Sequence, residues 1–210
     1  MQARHNANFE CTKNCTIVEQ PENILENYSF EVPEVTNGKK WDVFQTPVDG
    51  WTIEWRGDVL PTFGNQNRPA LAKLELHENV LGSAYEGDQY SELDSDWGGP
   101  SDSGTGEPAS ITMYQDIPTV IGRPYRIKFA FAARPNTGSA ENRVEVKWGG
   151  AVVHDTGNVA DNNDGIEWQV ITVNVVATSN VTRLQFTDLG TANSQGSFID
   201  DIKLYSPICQ

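Results

Sequence analysis

From Asn23 onward the chain consists of short runs of alternating or β-branched residues, separated by clusters of Gly, Pro, Asn and Asp. A period of two places successive side chains on opposite faces of a strand, and no stretch carries the period of an amphipathic helix. The pattern predicts strands over Ile24–Val32, Trp51–Trp55, Leu71–His77, Gln89–Asp94, Ser110–Gln115, Tyr125–Ala133, Arg143–Trp148, Trp168–Ala177, Thr182–Thr187 and Ser197–Tyr205. Many short strands with turn chemistry between them make an all-β fold, an antiparallel β-sandwich of the jelly-roll type. Residues 1–22 are polar and aperiodic and read as an N-terminal tail, so the sandwich domain is expected over 23–210. Two loops, Trp97–Pro108 and Asp155–Gly165, are rich in Gly, Ser, Asn and Asp and are expected at the surface.

Charge narrows the partners. The 210 residues hold 15 Lys and Arg against 29 Asp and Glu, a formal charge of −14. That field repels a phosphate backbone and argues against nucleic acid. No apolar run approaches the ~20 residues needed to cross a bilayer, so no membrane insertion is expected. Met1–Phe9 lacks the charged and apolar regions of a signal peptide; a secreted or cell-surface location is expected on the inference that any leader has been removed. The cysteines lie at the extremes, Cys11 and Cys15 near one end and Cys209 at the other. A bridge from either N-terminal thiol to Cys209 would close the domain in an oxidising compartment. Pairing of Cys11 with Cys15, leaving Cys209 free, is the alternative, and the scattered thiols lack zinc-ligand spacing.

Two neighbouring runs carry the candidate chemistry. In Leu74–His77 the leucines face one way and Glu75 and His77 the other; in the run that follows, Tyr90, Glu92 and Asp94 share a face. Paired in register they would form a polar patch on the outer face of one sheet, joined by Gln115 and Arg134, where acids and amides can hydrogen-bond sugar hydroxyls. Sugar rings also stack their C–H faces on aromatic rings. Trp97, opening the glycine-rich loop, and Trp55 are the expected exposed platforms, while Trp51, Trp148 and Trp168 are assigned to the core. Glu75 and Glu92, about 5 Å apart at Cβ across paired strands, could serve a glycosidase only if they flanked a bound sugar in a cleft. Elbow, zinc-helix and phosphate-loop signatures are absent, and no enzyme is expected.

The first predicted strand contains NYSFEVP (27–33) and the last GSFIDDIKLY (196–205), each with acids beside apolar residues. If the two are neighbours, Glu31 meets Asp200 or Asp201, and adjacent carboxylates repel unless a proton or cation lies between them. Ca2+ would resolve the conflict, drawing further oxygens from the Asn37–Lys40 turn; the alternative is that these acids are solvated strand ends. Together with WDVFQTPVDGW, LELHENVLGSAYEGDQYSELDS, ITMYQDIPTVIGRPYRIKFAFAARP and VEVKWGG, in chain order, these segments resemble the galactose-binding-like jelly rolls of bacterial surface and exported proteins, in particular the choice-of-anchor C family, akin to a domain of plant cell-wall proteins. The resemblance covers Asn23 to Tyr205. It implies a β-sandwich, a structural calcium between first and last strands held by Glu31, Asp200 and Asp201, and a polysaccharide or glycan as partner. Tyr28 stands where such proteins often have Gly, with the acid kept. The expectation is thus a non-catalytic, lectin-like carbohydrate-binding module. The alternatives are a calcium-stabilised adhesive surface module and a glycoside hydrolase using paired carboxylates.

Overall fold

The computed structural model describes residues 23–100 and 106–206, and its regular elements are all strands. They are β1 Trp41–Gln45, β2 Thr52–Trp55, β3 Thr62–Phe63, β4 Gln66–Asn67, β5 Lys73–Glu78, β6 Gln89–Glu92, β7 Ile111–Pro118, β8 Pro124–Ala132, β9 Val144–Trp148, β10 Ala151–Asp155, β11 Gln169–Val176, β12 Val181–Asp188 and β13 Phe198–Tyr205. Two antiparallel sheets form the sandwich, one of six strands in the order β1-β5-β6-β13-β8-β11 and one of five in the order β10-β9-β12-β7-β2. β3 and β4 make a small separate hairpin. Apart from the consecutive pairs β5-β6 and β9-β10, neighbours in the two sheets are not consecutive in sequence, as in a jelly roll.

Alternation fills the space between the sheets. β7 and β9 bury every second residue, and Leu74, Leu76, Met113, Phe129, Val146, Phe186, Ile199 and Leu204 meet in one core with Trp51. Trp51 stacks on Phe30, with centroids 5.9 Å apart, and meets Phe186 edge-on at 6.3 Å. Elsewhere the alternation fails. β6 is buried along its whole length and β5 at its four central positions. The outer face of the six-stranded sheet carries a second, small core of Tyr90, Ala132 and Phe198, covered by Leu81, Ala84, Ile166 and Trp168.

Several expectations need correction. Ile24–Val32 is not a strand: it runs in bends and turns, with Asn27 and Phe30 at positive φ. It still lies against the last strand, since Ile202 N donates to Tyr28 O at 2.8 Å and Asn23 pairs with the backbone of Ile202 and Leu204. Conversely, β1 and β10 form where no strand was predicted. The cysteines and the tail lie outside the described residues.

Candidate functional site

The polar residues of β5 and β6 do meet, inside the protein rather than at its surface. Glu75 pairs with Glu92 across the ladder and His77 with Tyr90. Their side chains point away from the main core, and the second core seals them: Glu75, His77 and Glu92 are 6%, 2% and 0% exposed, which overturns the expected solvent-facing patch. The His77 Nε2 lies 2.7 Å from Glu75 Oε1 and 3.1 Å from Glu92 Oε2. Arg134, from the segment after β8, donates to both oxygens of Glu92, and Gly196 N adds a third bond at 2.8 Å.

Two acids and two bases thus meet in one cluster, with Glu75, His77 and Glu92 buried and Arg134 reaching them from a partly exposed position. Burial, reinforced by the charge of Glu92, raises Glu75 to about 7. Burial alone would depress the imidazolium, but its hydrogen bonding to the Glu75 and Glu92 carboxylates and their negative charge outweigh it and raise His77 to about 9. Glu92 likewise loses solvation, yet Arg134 and His77 hold it below the usual carboxylate range. The ligand atoms of Glu75, His77 and Glu92 lie within 4.8 Å of one another, a spacing that could hold a metal ion; such an ion would compete with Arg134 for Glu92.

Aromatic rings frame this centre. Trp41 stacks on His77 (6.3 Å) and His77 on Tyr90 (5.3 Å); Tyr90 meets Trp168 edge-on (5.6 Å), and Trp168 meets Tyr85 (6.3 Å). The middle of the row is buried and its ends are open, with Trp41 and Trp168 half-buried and Tyr85 42% exposed. Trp168, expected in the core, therefore sits on the outer face, where its Nε1 donates to Ser83 O at 2.9 Å. Sequence reasoning missed Trp41 and Tyr85 because neither lies in a predicted strand.

The remaining candidates disperse. Trp97 is buried, not exposed: its Nε1 donates to Pro108 O at 3.1 Å and pins the base of its loop. Trp55 is half-buried under Arg68, with Nε1 donating to Pro69 O. Gln115 is on β7 of the other sheet and clasps the backbone of Glu26 through both amide atoms, so it does not join the acids. Asp94 is buried beside Glu92, its carboxylate on the same segment 193–196 that caps Glu92. Its carboxylate accepts Ser110 Oγ and the N–H groups of Asn193 and Gln195, and burial with the nearby Asp188 charge raises it well above the ordinary value. A cavity of about 200 Å3 has Ala133, Asp161, Asn162, Asn163, Glu167 and Gln169 in its wall, the chain neighbours of Arg134 and Trp168 among them.

Glu31 and Asp200 grip one loop. Asp200 Oδ2 accepts the N–H groups of Tyr85 and Glu86 at 2.8 and 2.9 Å, and Glu31 Oε1 those of Asp88 and Gln89 at 3.0 and 3.1 Å. Asp201 pairs with Lys203. The carbonyls of Asn37 and Lys40 are taken by Lys40 N and Glu78 N. Burial raises Asp200 to about 7, while burial and the charges of Asp88 and Glu86 raise Glu31.

The fold has solved counterparts. TmCBM61, solved in complex with β-1,4-galactotriose, is 16% identical, with a TM-score of 0.50 over 88% of this chain and 99% of that one. The CBM22-1 xylan-binding domain of Paenibacillus barcinonensis Xyn10C is 12% identical, over 92% and 99% of the two chains, with a TM-score of 0.42. No protein-family profile and no curated protein sequence matches the chain. The likeness to TmCBM61 establishes the jelly-roll sandwich.

Proposed function

We propose that this protein is a non-catalytic carbohydrate-binding module that receives a glycan against Trp168 and Tyr85. The observation that carries this reading is the row of rings on the outer face of the six-stranded sheet. Its interior is sealed by packing, while Trp168 and Tyr85, set edge to face, remain open at its end. Exposed rings beside polar groups suit the C–H faces of a sugar. TmCBM61, of the same fold, was solved holding a galactotriose, so β-1,4-linked galactose oligomers are the first ligand to try. The hydrolase alternative fares worse, because Glu92 is held by Arg134 and Gly196 and both acids are shut off from substrate.

A structural Ca2+ belongs to this reading. Glu31, Glu86, Asp88, Asp200 and Asp201 crowd around the loop of residues 85–89, and Lys203 is the cation paired among them. Their oxygens are hard donors suited to Ca2+, with Glu31 and Asp200 as its first ligands. Such a module works outside the cell, secreted or surface-bound, as the resemblance to choice-of-anchor C proteins implies. The adhesive alternative draws on β11, an eight-residue edge strand without a charged side chain.

The test is a titration of the full chain with β-1,4-galacto-oligosaccharides, read by tryptophan fluorescence and calorimetry, beside Trp168→Ala and Tyr85→Ala. Binding that both variants lose while still melting cooperatively supports the reading. Binding that survives both moves the site elsewhere, and no binding to any glycan favours the adhesive module.

A further inference from the structure

Farther along the same outer face, away from the sealed centre, the sheet turns basic. Tyr125, Ile127 and Phe129 of β8 and Ile202 and Leu204 of β13 fill the main core, so the alternating Arg126, Lys128 and Lys203 project to the face that carries Tyr90 and Phe198. Lys203 is the direct ladder partner of Lys128, and Tyr205 that of Arg126. Like charges directly opposite each other destabilise a sheet. Lys203 is relieved by Asp201, at 2.8 Å. Lys128 and Arg126 form no ion pair among the described residues, and Arg126 spends its Nε on the Asn174 amide at 3.0 Å.

This arrangement stands in a chain of formal charge −14, in which acids are plentiful and several other cations have found one. Arg56, Arg134, Arg143, Lys147 and Arg183 are all paired with Asp or Glu. Next to the basic pair, β11 presents Asn174 opposite Arg126 and Thr172 opposite Lys128. Both are exposed and neutral, offering an amide and a hydroxyl. Local features that cost stability without a visible structural return mark functional sites.

We infer that Arg126, Lys128 and Lys203, flanked by Thr172 and Asn174, bind the anionic groups of an acidic polysaccharide, carboxylate or sulfate. Guanidinium and ammonium groups supply charge-assisted bonds to those oxygens, and the amide and hydroxyl serve the neutral positions of the sugar. Two residues along a strand span about 6.6 Å, so Arg126 and Lys128 reach separate groups along a polymer. The inference rests on the carbohydrate-binding reading and adds the charge of the ligand to it.

The experiment compares three oligosaccharides on the full chain by calorimetry, at low and high ionic strength: an oligogalacturonate, a sulfated galactan oligomer and a neutral β-1,4-galacto-oligosaccharide. The same series is run on Lys128→Gln and Arg126→Gln. One of the acidic ligands is expected to bind roughly tenfold more tightly than the neutral one at low salt, to lose that advantage at high salt, and to lose it in both variants. Which acidic ligand does so names the anion. Lys128→Gln should melt no lower than the parent, since it removes a repulsion, so its loss of binding is not a loss of fold. Equal binding of acidic and neutral ligands, or acidic binding indifferent to both substitutions, overturns the inference and leaves the general reading standing. Failure to bind any sugar removes both.

Discussion

Glu75 and Glu92 stand directly opposite each other on adjacent strands, both buried, and the His77 imidazole lies within hydrogen-bonding distance of each. Two facing carboxylates without water would expel one another's charge. Here the cost is met by a proton on His77 and by Arg134, so the four side chains act as one unit. Removing the partner of a buried charge costs about 3–5 kcal/mol, because the remaining charge is stranded. Glu92→Leu, which strips Arg134 of its ion-pair partner and His77 of one of its two, should lose that much in denaturant unfolding. Glu75→Gln should cost far less, about 1 kcal/mol, because Glu75 is already near neutrality at about 7. The reverse order of the two losses would show that the charge is distributed differently.

The same unit sets a dependence on pH. Folding raises His77 from its ordinary 6.5 to about 9, with the acids outweighing the opposing effect of burial. A pKa raised on folding contributes stability that is complete below the unfolded value and lost as pH climbs through the folded one. Glu75, raised from 4.5 to about 7, adds a loss in the same direction at lower pH. Melting temperatures followed by circular dichroism should therefore fall between pH 6.5 and 9, and His77→Gln should flatten that limb. A parent curve that is flat or rising there would mean that His77 is neutral in the folded protein.

Trp97 and Trp168 should separate structure from recognition. Trp97 is 4% exposed, it bonds to Pro108, and its carbonyl receives Lys73 Nζ. Trp97→Ala should destabilise by about 3–5 kcal/mol. Trp168→Ala, on a half-buried ring, should cost less stability and abolish glycan binding. If Trp97→Ala unfolds no more easily than the parent, the loop it pins is not part of the cooperative unit.

Chelation tests the cation. A ligand held only by the folded state at a hundred times its Kd adds about 2.7 kcal/mol, so removing Ca2+ should lower the melting temperature by several degrees. Gly87→Ala should abolish the difference between the calcium-loaded and chelated melts. Gly87 has φ +70°, and a Cβ there would lie 2.2 Å from Glu31 Oε1, forcing the loop off its carboxylate. An identical melt of the parent protein with and without chelator would mean that the backbone amides on Glu31 and Asp200 suffice.

Much of the fold was legible because alternation is a local property. The runs at Tyr125–Ala133, Arg143–Trp148 and Ser197–Tyr205 became β8, β9 and β13 within a residue at each end. The segment Ile24–Val32 misled because Leu25 and Phe30 are buried by packing rather than by pairing, while its β-branched residues Ile24 and Val32 stay exposed: Phe30 stacks on Trp51 from a turn at φ +60°. β1 was missed because its one partner, β5, lies some thirty residues away and nothing in WDVFQ announces it.

Alternation alone specifies the sandwich and puts Glu75 and Glu92 on the faces of their strands opposite the leucines, since a period of two assigns each residue to a face; that the two stand opposite each other is a matter of register, which the folded sheet supplies. That this face is sealed follows from tertiary packing. Leu81 N donates to the Tyr90 hydroxyl, and Ile166 and Trp168 arrive from the approach to β11 to cover Phe198 and Ala132. Polarity and period reveal which side of a strand a residue occupies. Whether that side meets water depends on contacts with segments tens of residues away, and those contacts turned an expected sugar-facing patch into a buried ionic centre, with its open aromatic rings displaced to the rim.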